Sequence, residues 1–144
     1  MSRAYSRTIL LDTSFILALA RSHRELVNEI RDVSIGRVRL ATSDGVVLEL
    51  ERLARNGKFP SKALAKLAQA RLKDQGVEIR ETCPAVANVD TGMLVLALGD
   101  RDPLDVATID RQLGETLSKL GINVISPRKK GGLTVKPGTS SSLK

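Results

Sequence analysis

The chain has 144 residues, 42% hydrophobic and 27% charged, enough for one packed domain and too apolar for wholesale disorder. Its single Cys and single His exclude a disulfide framework, a zinc ribbon and a His-pair ribonuclease within one chain, leaving acid–base or metal chemistry to carboxylates, hydroxyls and amines. Net charge is +7, and with two Phe, one Tyr and no Trp the composition speaks against nucleic-acid binding by stacking on aromatic platforms.

In chain order, the apolar run Thr8–Asp12 predicts a strand buried on both faces. Helical patterns follow over Thr13–Ala20 and Arg24–Asp32. Arg37–Ala41 predicts a second strand, and Ser43 or Asp44 offers the N-cap of a helix running to about Arg55, stopped at Gly57. Pro60 opens a helix over Ser61–Lys73 that ends near Gly76, and Val77–Arg80 is a short strand. Asn88 or Asp90 caps a helix through Leu98. Leu104–Thr108, Asp110–Leu120 and Ile122–Ile125 then give strand, helix and strand. Strands alternating with helices predict an α/β fold: a three-layer α/β/α sandwich on a central parallel sheet of about five strands. One domain is expected over 1–126. Residues 127–144 carry Arg128, Lys129, Lys130, Lys136 and Lys144 with no acid, and are expected as a basic, partly disordered tail suited to polyanions. No apolar run reaches membrane-span length, and the opening MSRAYSRT lacks a signal-peptide core, so a cytoplasmic protein is expected.

Four acids stand at comparable places. Asp12 ends the first strand, Asp110 lies just past another, Asp90 opens a helix, and Glu49 lies inside the helix after the second strand. In open parallel sheets, ligands bind beyond the carboxyl ends of the strands, where these four are able to meet. Two carboxylates about 5 Å apart repel by ~3 kcal/mol at an effective dielectric near 20, so such a cluster calls for cations. Oxygen ligands select hard ions, Mg²⁺ or Mn²⁺. Each acid also has a plainer role, because helix N-capping suits Asp12, Asp90 and Asp110 equally well, and Glu49 is compatible with a solvated helix face.

The segments LLDTSFI (10–16), SDGVVLELERL (43–53), VDTGMLVLA (89–97) and VATIDRQL (106–113), in that order, resemble the motifs of PIN-domain nucleases. The similarity is greatest to the archaeal and eukaryotic branch that processes ribosomal RNA, and the basic PRKKGGL (127–133) resembles the end of that branch. The resemblance implies a metal-dependent endoribonuclease with Asp12, Glu49, Asp90 and Asp110 as catalytic metal ligands, Ser14 and Thr108 as supporting hydroxyls, and Mg²⁺ or Mn²⁺ as cofactor. The implied substrate is RNA, pre-rRNA or another structured RNA, and a homodimer is compatible with the family. Two positions depart from the pattern: Thr91 stands where many relatives carry a second acid beside Asp90, and Asp105 interrupts an otherwise apolar strand. A VapC-type toxin, which requires an antitoxin partner, is the alternative enzyme of the same fold. A non-catalytic RNA-binding ribosome-assembly factor is the alternative of another class.

For RNA binding, Lys58, Lys62 and Lys66 form a basic stripe around the Ser61–Lys73 helix, Arg111 follows Asp110 directly, and Arg128, Lys129 and Lys130 supply the tail. His23 is read as a surface residue and Cys83 as a buried loop thiol.

Overall fold

The computed structural model describes residues 7–22, 28–30, 37–82, 88–99, 104–128 and 131–139. Among them six strands form one sheet: β1 (Arg7–Leu11), β2 (Val38–Ser43), β3 (Glu78–Arg80), β4 (Leu104–Ala107), β5 (Val124–Pro127) and β6 (Leu133–Lys136). Their order is β3-β2-β1-β4-β5-β6. The first five pair in parallel and β6 runs antiparallel to β5. The expected α/β sandwich is therefore present, with one antiparallel edge strand added. Chain order moves away from β1 on one side to β2 and β3, and on the other to β4 and β5. With the right-handed crossovers general to parallel strands, that order puts helices on both faces and opens a crevice at the carboxyl ends of β1 and β4.

The helices are α1 (Thr13–Arg21), α2 (Asp44–Asn56), α3 (Ser61–Asp74), α4 (Val89–Gly99) and α5 (Arg111–Lys119). β1 and β4 are buried along nearly their whole length, which is why their sequences do not alternate. Ile9, Leu10, Phe15, Leu50, Met93 and Leu117 lie fully inside the core. Each such side chain contributes roughly 1.5–3 kcal/mol relative to exposure. α2 begins where expected, with the Ser43 hydroxyl accepting from the Val46 N–H at 3.1 Å. Asp44 does not cap it. Its carboxylate instead accepts from the Thr82 backbone N–H at 3.4 Å and hydroxyl at 3.3 Å, tying the start of α2 to the chain leaving β3. Of the expected Arg24–Asp32 helix, residues 28–30 are described; they are helical, and Ile30 is fully buried. Among the described residues no helix is long and apolar enough to cross a membrane.

Two differences from the sequence reading follow from long-range contacts. Asp105, unexplained by strand periodicity, is only 7% exposed yet satisfied: Arg7 donates to it through Nε, at 3.0 Å, and Nη2, and the Asn123 amide donates at 3.2 Å. The segment after Pro127, expected as a tail, instead folds back through Gly131 and Gly132, both at positive φ, to form β6. Beyond it the Asn123 side chain accepts from the Gly138 N–H at 2.9 Å, and the Ser118 carbonyl accepts from the Thr139 N–H at 2.8 Å. A Cβ at Gly138 would lie 2.3 Å from the Gly121 carbonyl carbon, so the chain passes there only as glycine.

Candidate active site

Strand register brings the first two candidate residues together. Leu11 pairs with Ala107, so Asp12 and Thr108 emerge side by side, and the Asp12 N–H donates to the Ala107 carbonyl at 2.9 Å. Thr108 donates its hydroxyl to Asp12 Oδ2 at 2.7 Å, and Ser14 donates to the same oxygen at 2.9 Å. These hydroxyls are in turn acceptors: Ser14 Oγ from the Ile109 N–H at 3.2 Å, and Thr108 Oγ1 from the Asp110 N–H at 3.0 Å. The loop 108–110 is thereby fastened to the start of α1. Glu49 reaches the same region from α2, where its Oε1 accepts from the Thr13 hydroxyl at 2.7 Å.

Of the three acids suited to helix capping, two do not cap. Asp12 occupies the N-cap position of α1 with extended backbone but makes no side-chain cap bond; its carboxylate turns to the hydroxyls instead. Asp90 lies in the first turn of α4, whose capping bond comes from Asn88, accepting from the Thr91 N–H at 3.1 Å. Only Asp110 fits the plainer reading, its Oδ1 accepting from the Leu113 N–H at 3.1 Å as the cap of α5.

All four acids line one pocket of about 520 Å³. Asp12 is 4% exposed, and burial is the main cause that pushes its carboxyl above the ordinary 3.8, against the hydrogen bonds from Thr108, Ser14 and the Thr13 N–H that pull it down. The Asp110 charge raises it further. Asp90 is also raised, first by burial and then by the charges of Asp12, Asp110 and Glu49. Each of the other three carboxylates therefore acts on Asp90. Among the described residues no Lys or Arg forms an ion pair with any of the four. Nor do three acidic, His or Cys side chains among them already stand as a closed ligand set. The acids share a pocket and a field. Their donor chemistry, hard carboxylate oxygens in no ion pair among the described residues, fits Mg²⁺ or Mn²⁺.

Sequence reasoning missed Arg52, which lines the pocket with Glu49 and Leu53. The signal was available, because positions 49, 52 and 53 fall on one face of a helix. It also missed Thr13 as the partner of Glu49. The proposed RNA-contacting residues are dispersed. Lys58, Lys62 and Lys66 are exposed on α3 and the turn before it, and none lines the acidic pocket. Phe59, beside Lys58, is 85% exposed, so one of the few aromatics does face solvent. Arg111 and Arg128 are exposed. His23, Cys83, Lys129 and Lys130 lie outside the described residues.

No family model and no curated protein matches the sequence. Among solved structures, the chain is similar to the PIN domain endonuclease Utp24, with a TM-score of 0.75 and 22% identity over 90% of this chain and 91% of that one. Likeness at this identity is likeness of fold, and the chain has the fold of a PIN domain.

Proposed function

From the PIN-domain fold and its four-acid pocket, we propose that this protein is a metal-dependent endoribonuclease acting on structured RNA, in the processing of ribosomal RNA. The observation that carries the reading is the convergence of Asp12, Glu49, Asp90 and Asp110, from four separate segments, on one pocket in which, among the described residues, none of them forms an ion pair. Structural ion pairing leaves carboxylates matched to cations, whereas a site for a divalent ion leaves them unmatched. The rRNA-processing assignment is supported by the motif resemblance and by the likeness in fold to the PIN domain endonuclease Utp24.

Asp12, Glu49, Asp90 and Asp110 would hold the ion. Bound there, a divalent cation supplies an activated water and neutralises charge on the phosphodiester. The chain's own residues do the positioning. Thr108 and Ser14 fix the Asp12 carboxylate, and Thr13 fixes Glu49, so that two of the acids are oriented before RNA arrives. Arg52 presents the one cationic side chain among the pocket's described residues, suited to a non-bridging phosphate oxygen. In the overall reaction the oxygen of water bonds to phosphorus and the bond from phosphorus to the 3′-oxygen breaks. The 3′-oxygen takes a proton, leaving a 3′-hydroxyl and a 5′-phosphate.

The test is cleavage of a labelled RNA hairpin with single-stranded flanks by the full chain. Turnover is expected with Mn²⁺ or Mg²⁺, and its loss with EDTA or in a folded Asp12→Asn variant. Cleavage undiminished by EDTA would overturn the reading. Salt-sensitive binding without turnover at millimolar Mn²⁺ would favour a non-catalytic RNA-binding factor instead.

A further inference from the structure

Asp110 is a wall between two pockets. On its far side a second groove of about 490 Å³ opens between α5 and the β5–β6 hairpin, and Asp110 lines both. Arg111 enters this groove from the start of α5 and Lys136 from the end of β6. Neither cation forms an ion pair among the described residues, although Glu115 lines the same groove. Ile109, 48% exposed, supplies apolar surface, and Ser126 supplies a hydroxyl. The volume lies within the roughly 300–1,000 Å³ typical of sites for small organic groups.

We propose that this groove is the subsite for the ribonucleotide next to the cleaved phosphate, an inference that rests on the endoribonuclease reading. A strand crossing Asp110 leaves the acidic pocket directly between Arg111 and Lys136, which hold its next phosphate. The nucleoside lies against Ile109. Its 2′-hydroxyl, donor and acceptor at once, meets the Ser126 hydroxyl and the Glu115 carboxylate, the polar groups that would let the groove prefer RNA to DNA. On this account β6 is part of the substrate surface, because it delivers Lys136.

Binding of a fluorescent RNA hairpin with single-stranded flanks, and of the DNA of the same sequence, to the full chain carrying Asp12→Asn tests this apart from turnover. Arg111→Ala and Lys136→Ala are each expected to weaken RNA binding about fivefold or more and to lower the salt slope by about one. Lys119→Ala, an equal loss of charge at the far end of α5, is expected to change it less than about twofold. Ser126→Ala is expected to narrow the preference for RNA. If Lys136→Ala and Lys119→Ala lose the same affinity while the parent chain binds and cleaves RNA, the subsite is overturned and the nuclease reading stands. Failure of the parent chain to bind RNA overturns both. Should Lys136→Ala not fold, Lys136→Gln carries the same expectation.

Discussion

Thr108 and Asp12, separated by 96 positions in the chain, are joined by a buried 2.7 Å hydrogen bond in which the hydroxyl donates and Oδ2 accepts. The bond exists because β1 and β4 are in register up to Leu11 and Ala107. Thr108→Val keeps the shape and removes the donor, and it also takes away the acceptor of the Asp110 N–H. A cost of about 1–3 kcal/mol is expected from denaturant unfolding. Removing a bond that holds Asp12 charged raises its carboxyl further, so the acidic limb of the cleavage profile should move to higher pH. A stability loss with an unmoved profile would mean that Thr108 only packs.

Asp90 and Asp12 both sit above their ordinary value of 3.8, so each binds its proton more tightly folded than unfolded. A raised carboxyl favours folding while protonated, and that contribution falls away as pH rises from the unfolded value through the folded one. Near neutrality, without divalent ions, the folded protein therefore bears the full repulsion. Asp90→Asn should melt at a higher temperature than the parent chain at pH 7, and the gap should close as pH is lowered toward 4. Thermal melts of the two proteins at a series of pH values, without divalent ions, decide this.

Divalent ions should relieve the same repulsion. At a concentration one hundred times Kd, Mn²⁺ is expected to add about 2.7 kcal/mol. For a domain of this size that is a rise of roughly 10 °C in Tm. Asp12→Asn should abolish most of the rise. Because the ligand groups must be deprotonated, the rise should shrink as pH falls into the range where Asp12 and Asp90 hold protons.

At the amino ends of the strands, away from the acidic pocket, Arg7, Asp105 and Asn123 link the first strand to the chain leaving β6 through the Gly138 N–H. Asp105→Ala should destabilise by about 1–3 kcal/mol, at the lower end because Arg7 is partly solvated. Gly138→Ala should release the last strand, read as faster amide exchange at Leu133–Lys136, because its Cβ would overlap the Gly121 backbone. Neither change touches the acids, so metal-dependent cleavage at a permissive temperature should persist for Asp105→Ala.

The alternation of strands and helices was legible because β1, β4 and the faces of α2 and α5 carry their burial as simple apolar patterns. Three of the acids were legible at strand ends or helix starts and Glu49 inside the helix after the second strand, and the sheet order brings those positions to one pocket. Which of them caps a helix was not, since local sequence makes Asp12 and Asp110 equally good caps. Strand register, a long-range property, sets Thr108 beside Asp12 and turns that carboxylate to the hydroxyls, while Asp110 caps α5 and still lines the same pocket. The partner of Asp105 and the docking of Gly138 were hidden for the same reason, each depending on residues far away in the chain. Composition made 127–144 look like a tail; pairing of Leu133–Lys136 with β5 makes part of it a strand.

The most direct measurement is anomalous diffraction from crystals soaked in Mn²⁺. The account predicts one or two ions in the crevice between β1 and β4, with carboxylate oxygens of Asp12 and at least two of Glu49, Asp90 and Asp110 closing to about 2.1 Å. Saturating Mn²⁺ with no ion in that crevice, or an ion touching a single one of these acids, would contradict it.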